Sequence, residues 1–298
     1  MTEQVTREPI RAGAGHVPER RQAPTPLHFR RVELKYIVPE RRIAELVDRI
    51  TPFVDTDPFL IARGTTSYPV TSLYFDSFDL QSLFTKEAGW LSRRRIRLRT
   101  YHESFRPDET LFFEIKRRHD FLVSKDRLPL TLADPDINLA SRTTLRRLLM
   151  LARDGSQDSY EEALLLDAWY NLQPSTLVSY EREAYVGKAD RDLRLTIDRN
   201  LKGVWRPLGL VGSPPYRRCG VHPTLPRLMS YGAHQARGPN PLSASEYVIV
   251  ELKFAHAIPA WTHQIIMAMN LQRSAYSKYA FVARDLRPNL FETTEDDE

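Results

Sequence analysis

The feature that most constrains this chain is a period-two alternation of charged and apolar residues that recurs in six segments. The clearest is R-R-R-I-R-L-R-T-Y, from Arg93 to Tyr101. Successive side chains of an extended strand point to opposite faces. Arg93, Arg95, Arg97 and Arg99 therefore share one face, with Ile96 and Leu98 on the other. Phe113 and Ile115 oppose Glu114, Lys116 and Arg118 in the same way, and Lys125 pairs with Arg127. Arg194, Thr196 and Asp198 alternate with Leu193, Leu195 and Ile197. Glu251 and Lys253 alternate with Val250, Leu252 and Phe254, and Glu33 and Lys35 with Val32, Leu34 and Tyr36. One such strand is ordinary in an antiparallel sheet with a wet face. Six strands whose polar face is mostly Arg and Lys, three of them with a Glu two residues before a Lys, ask for more. Closed into a barrel, they would enclose the charge and turn the aliphatic residues outward under helices. The expected class is α+β: an antiparallel β-barrel with helices packed outside.

Other segments fill in the frame. P-E-R-R-I-A-E-L-V-D-R-I sets Pro39 at a first helical position, with Ile43, Leu46, Val47 and Ile50 at helical spacing. Y-P-V-T-S-L-Y-F-D reads as a strand, followed by a short helix or turn ending near Gly89. T-L-F-F-E-I-K-R-R-H and F-L-V-S-K-D-R-L-P-L form a candidate hairpin around His119–Asp120. Residues 137–172 switch to a helical period. Strands return in T-L-V-S-Y-E-R-E-A-Y-V, in D-L-R-L-T-I-D and from Gly203 to Leu210. The chain closes with E-Y-V-I-V-E-L-K-F, a helix around W-T-H-Q-I-I-M-A-M-N-L, and Y-S-K-Y-A-F-V-A-R. About nine strands result. Residues 1–27, rich in Arg, Pro, Gly and Ala, read as a disordered basic tail, and 291–298 as an acidic one. The body, 28–290, carries a long loop or lid at 211–245.

A net charge of +5 and a pI near 9.3 favour a polyanionic partner. A lone cysteine, Cys219, excludes an internal disulfide and suggests a reducing compartment. It has no evident His partner, and the eight histidines show no zinc-ligand spacing. The sequence has no run of the ~20 apolar residues a membrane span needs and no secretory signal pattern at its start, so a cytoplasmic location is expected.

About a dozen cations on one lumen repel unless a polyanion occupies it. Arginine grips phosphate bidentately and lysine acts as a compact charge. The interspersed Glu residues suit Mg²⁺ or Mn²⁺ better than phosphate, with salt bridges to neighbouring Arg as their structural alternative.

The chain resembles the triphosphate tunnel metalloenzymes, and within them the vacuolar transporter chaperone (VTC) domain, the polyphosphate polymerase module. The resemblance spans roughly Phe29 to Asp285 and rests on E-L-K-Y (33–36), S-L-Y-F-D (72–76), R-L-R-T-Y (97–101), F-E-I-K (113–116), S-K-D-R (124–127), Y-E-R (180–182), R-L-T-I-D (194–198), V-E-L-K (250–253) and Y-S-K-Y (276–279). It implies a basic tunnel that binds ATP and inorganic polyphosphate with Mn²⁺ or Mg²⁺. Catalytic phosphate contacts would come from Arg97, Arg99, Lys116, Lys125, Arg182, Arg194 and Lys278. Substrate binding would add Lys35, Lys86, Arg127, Tyr180, Lys253 and Ser277, and the metal would sit on Glu251, Glu114 and Glu33. Arg31 stands where the wider superfamily has the first Glu of Glu-x-Glu-x-Lys. That departure is shared with VTC domains and speaks against a hydrolase using several metals. Ala275 stands where relatives can carry a basic residue, with Arg273 as a substitute.

The implied activity is transfer of the ATP γ-phosphoryl group to a growing polyphosphate chain. Hydrolysis of triphosphates in the same tunnel is the nearest alternative, and a non-catalytic polyphosphate or nucleic-acid binder the next. Nucleic acid is not expected, because the aromatic residues of the Arg-bearing strands mostly alternate onto the apolar face.

Overall fold

A computed structural model describes residues 32–287, apart from 108, 120–121, 133–140, 142, 153–156, 210, 213, 222–246 and 256. Both expected tails and most of the 211–245 loop lie outside the described residues.

Ten strands form one sheet. They are β1 (Val32–Pro39), β2 (Val54–Thr56), β3 (Tyr68–Asp76), β4 (Ser92–Thr100), β5 (Thr110–His119), β6 (Leu122–Thr131), β7 (Gln173–Gly187), β8 (Arg194–Trp205), β9 (Arg217–Arg218) and β10 (Tyr247–Phe254). The main path runs β1-β10-β8-β7-β3-β4-β5-β6, with β2 on β7 and β9 on β8. Every pairing is antiparallel. Seven α-helices are described: α1 (Ile43–Ile50), α2 (Pro58–Arg63), α3 (Gln81–Glu87), α4 (Thr144–Met150), α5 (Gln157–Tyr170), α6 (Ala260–Ala268) and α7 (Lys278–Leu286).

The alternation read from sequence sets the two faces. Ile96, Leu98, Phe113, Ile115, Leu128 and Leu130 are buried with Leu145, Leu148 and Leu149 of α4 and with Ala163 and Leu166 of α5. Leu195, Ile197, Val250 and Leu252 are buried with Ile43, Leu46 and Ile50 of α1 and Ile265 of α6. A strand whose aliphatic side meets helices must turn its charged side the other way, and that side bends into a concave surface. Lys116 of β5 reaches Glu33 of β1 at 2.9 Å, although these strands lie near opposite ends of the sheet order.

The expected closed barrel is corrected at this point. No strand pairing joins β1 to β6 among the described residues, so the hydrogen-bonded ladder stays open and the gap is spanned by side chains. Alternation alone cannot tell a curled sheet from a closed one, because both place the same residues inside.

Three further details position the site. The expected strand at 194–198 continues to Trp205 as one strand, with Asn200 at φ 53° where the alternation breaks. The Y-S-K-Y-A-F-V-A-R segment is a helix, α7, whose N-cap Ser277 accepts a hydrogen bond from Ala280 N. Toward this end the inner face turns apolar, through Ile37, Val178, Leu201 and Ile249, and is buried with Ala280, Val282 and Ala283 of α7. Gly203 permits the approach, since a Cβ there would stand 2.2 Å from Val282 Cγ1.

Candidate active site

Register puts the predicted cations on the inner face in two groups. In the first, Glu114 of β5 is the centre and is fully buried. Arg97 donates to Glu114 Oε2 from Nε at 2.7 Å, with its Nη2 at 2.6 Å. Lys125 and Arg127 of β6 donate to Oε1 at 3.0 and 2.8 Å, and Arg99 stands 3.8 Å away. Arg99 also donates to Ser72 Oγ at 3.0 Å, and Arg97 to the Tyr74 hydroxyl at 3.1 Å. Burial alone would raise the Glu114 pKa, but these four cations hold it well below the usual carboxylate range.

The second group gathers on β7, β8, β10, β1 and α7. Arg182 binds Asp198 bidentately, Nε and Nη2 each at 2.7 Å. Lys278 lies 2.6 Å from Asp198 and 2.7 Å from Glu251. Glu251 further meets Lys253 at 2.9 Å, Arg182 at 3.4 Å and Lys35 at 3.5 Å. Glu33 shares Lys35 at 3.8 Å and Lys253 at 3.7 Å, and accepts from Lys116 at 2.9 Å. Tyr180 offers its ring to Arg182 at 5.2 Å and Lys278 at 4.7 Å. Burial opposes ionisation of Glu251, Asp198 and Glu33, yet the surrounding lysines and Arg182 keep all three low. Among the described residues nine cations thus face four carboxylates, an excess of positive charge inside the sheet.

That excess shows at Lys125. Burial pulls its pKa down to about 7, with Arg127, Arg99 and Arg97 adding and only Glu114 opposing. An ammonium of this kind is largely neutral at pH 8 and regains its proton when an anion arrives. On binding inorganic tripolyphosphate at pH 8, the wild type is therefore expected to take up close to one proton more than Lys125→Met does, the difference fading below about pH 6 where Lys125 is already charged. Calorimetry of both proteins in two buffers of different ionisation enthalpy reads this difference, and equal proton counts at pH 8 would contradict it.

Not every predicted residue joins these groups. Arg194, expected among the phosphate contacts, pairs with Asp57 at the N-cap of α2 and is more than a third exposed. Lys86 lies on α3 and donates to Glu87 at 2.8 Å. Ser277 accepts from Arg95 Nη1 at 2.8 Å while capping α7. Arg273, the possible substitute at 275, is exposed and bridges the β1 backbone at Tyr36.

The expected three-carboxylate metal site also needs correction. Among the described residues no three of His, Cys, Asp and Glu come together as ligands. Glu114 has both oxygens taken by cations, so a metal there would have to displace four neighbours. Glu251 is likewise met by four cations on both oxygens, but it shares Lys35 and Lys253 with Glu33, so a divalent ion that displaced those two lysines would find two carboxylates, both hard oxygen donors, with phosphate and water to complete it.

Some residues here were missed by sequence reasoning. Asp198, only 2% exposed, is as central as Glu251, and its alternation with Arg194 and Thr196 was the available signal. Arg95, Tyr74 and Asp76 are others. The buried Asp76 carboxylate accepts from Ser77, Ser82 and Leu83 amides at the start of α3 and from the Tyr279 hydroxyl at 2.5 Å. Tyr279 stacks on Tyr74 at 4.8 Å, and Arg95 lies over its ring. Arg97 and Tyr74 are thereby tied to α3 through packed side chains.

No helix among the described residues is long and apolar enough to cross a membrane. No curated protein matches the chain significantly. Solved structures that align with it include a presumed adenylate cyclase from Bacillus halodurans, at 11% identity, TM-score 0.44, over 84% of this chain and 95% of that one. A protein from Pyrococcus horikoshii aligns at 12% identity, TM-score 0.38, over 87% and 99%. A presumed adenylate cyclase from Vibrio parahaemolyticus aligns at 10% identity, TM-score 0.38, over 86% and 98%. The family profile described as the VTC domain matches residues 30–284, nearly the whole of the described chain, and the protein belongs to that family.

Proposed function

We propose that the concave face is a triphosphate tunnel in which the γ-phosphoryl group of ATP passes to the end of an inorganic polyphosphate chain. The observation that carries this reading is the Glu114 cluster together with its counterpart around Asp198 and Glu251: buried cations in excess of buried carboxylates, gathered on one surface. Such an arrangement is costly without a polyanion and is already ordered for one.

The chemistry needs little more than position and charge. A terminal oxygen of the acceptor chain is itself a nucleophile. It forms a P–O bond to the γ-phosphorus while the bond from that phosphorus to the β–γ bridging oxygen breaks, and ADP departs with the electron pair. Arg97, Arg99, Arg127 and Arg182 would bind non-bridging oxygens, with Lys35, Lys116, Lys125, Lys253 and Lys278 as point charges. Glu114 and Asp198 hold the guanidinium groups in place beforehand, so little reorganisation remains for the reacting state. The α7 N-terminus adds its own partial positive charge beside Lys278. Glu251 and Glu33 would hold Mn²⁺ or Mg²⁺, which when bound neutralises phosphate charge and polarises the transferred group.

The test is product analysis after incubation with ATP and Mn²⁺. Phosphoanhydride chains that lengthen with time, with ADP released in step, are expected. Free phosphate in place of chains would move the assignment to hydrolysis.

A further inference from the structure

On the inner face, the charged residues give way at one end to aromatic rings. Along β4 the face that carries Arg95, Arg97 and Arg99 continues to Tyr101, just past the strand's end. Along β5 the face of Lys116 and Glu114 continues to Phe112, which pairs with Arg99. On β3 the face of Tyr74 and Ser72 ends at Tyr68, which pairs with Arg182. On β4, where Arg95 contacts Ser277 of α7, the ring lies at the far end from that helix. Phe59 of α2 completes the group.

The rings form a chain of edge contacts. Tyr68 meets Phe59 at 4.9 Å, Phe59 meets Tyr101 at 5.7 Å, and Tyr101 meets Phe112 at 5.8 Å. Two guanidinium groups lie over them: Arg63 is 4.3 Å from the Phe59 centroid, and Arg127 is 4.8 Å from that of Phe112. Arg127 joins the rings to the phosphate-side cluster, since it donates to both Glu114 and the Tyr101 hydroxyl. Phe59 and Arg63 are exposed, and Tyr101 and Phe112 half-buried, so ring surface remains reachable.

A polyanion alone has no use for aromatic rings next to its cations. A ligand that is anionic at one end and a flat π-system at the other matches both. We infer that the Phe59–Tyr101–Phe112 mouth, with Arg63, is the subsite for the base of the nucleoside triphosphate. This deepens the tunnel reading above and rests on it. Stacking on aromatic and guanidinium faces is tolerant of base identity, so the subsite would favour nucleosides in general over inorganic triphosphate.

The test uses the full chain and two variants, Phe59→Leu and Phe112→Leu. Leucine keeps apolar packing while removing the π-face, and thermal melts identify any variant that fails to fold. Affinities for ATP and for inorganic tripolyphosphate are measured side by side. Each variant is expected to weaken ATP about tenfold and to leave tripolyphosphate within about twofold, so the ratio between the ligands changes. Equal losses for both ligands, or no loss for either, would overturn the base subsite while leaving the tunnel standing. Failure of the wild-type protein to bind either ligand would overturn the tunnel reading and the subsite with it.

Discussion

Replacing Glu114 with glutamine is expected to lower the stability of the ligand-free protein by about 3–5 kcal/mol, the cost of leaving buried charge without its partner. Glu114 has no exposed surface, and Arg97, Lys125 and Arg127 all lie within 3.0 Å of it. For a domain of this size that loss corresponds to a fall in Tm on the order of 10 °C. The sign of the ligand effect separates this from an ordinary core lesion. Added tripolyphosphate supplies the missing negative charge, so it should raise the variant's Tm by more than it raises the wild type's. Thermal melts with and without tripolyphosphate read both quantities. A variant that melts low but gains no more from the ligand than wild type would mean that Glu114 only fastens strands together.

Arg97→Ala is expected to behave in the opposite manner, costing activity rather than fold. The remaining partners of Glu114, namely Arg99 and Arg127, with Lys125 where it is charged, still neutralise it, so the melting curve should move little. Phosphoryl transfer should fall by about 10²–10³-fold, as for the loss of one well-placed donor to developing charge. Arg97→Lys should recover only part of this, because an ammonium cannot present two parallel N–H groups. Steady-state kinetics on all three proteins decides. Near-normal rates in Arg97→Ala would remove the first cluster from the chemistry.

These effects follow from a face that was legible in the sequence, because a two-residue period is visible without knowing which strands are neighbours. Arg97, Arg99, Glu114, Lys116 and Lys253 could be placed by parity alone. What parity does not carry is contact between strands distant in sequence. That Lys116 meets Glu33, and that Lys278 lies between Asp198 and Glu251, depends on how the sheet curls and where α7 lands. The carboxylates' roles were hidden for the same reason. Glu33, Glu114 and Glu251 share an E-x-K pattern in sequence, yet Glu114 stands alone among four cations, whereas Glu251, equally enclosed, shares two of its lysines with Glu33. Shorter signals failed on length. β2 has three residues and α2 six, too few for a period, and both lie in a stretch with no element assigned from sequence. The helical start of α7 is set by one side chain, Ser277, within a segment whose aromatic and β-branched residues suit a strand equally well.

The most direct measurement is a crystal structure of the protein soaked with tripolyphosphate and Mn²⁺. The phosphates are predicted between the Glu114 and Asp198–Glu251 clusters, touching Arg97, Arg99, Arg182 and Lys278, with the metal on Glu251 and Glu33. Phosphate confined to the outer surface, with the Arg97–Glu114 and Arg182–Asp198 pairs undisturbed and no density between them, would contradict the tunnel.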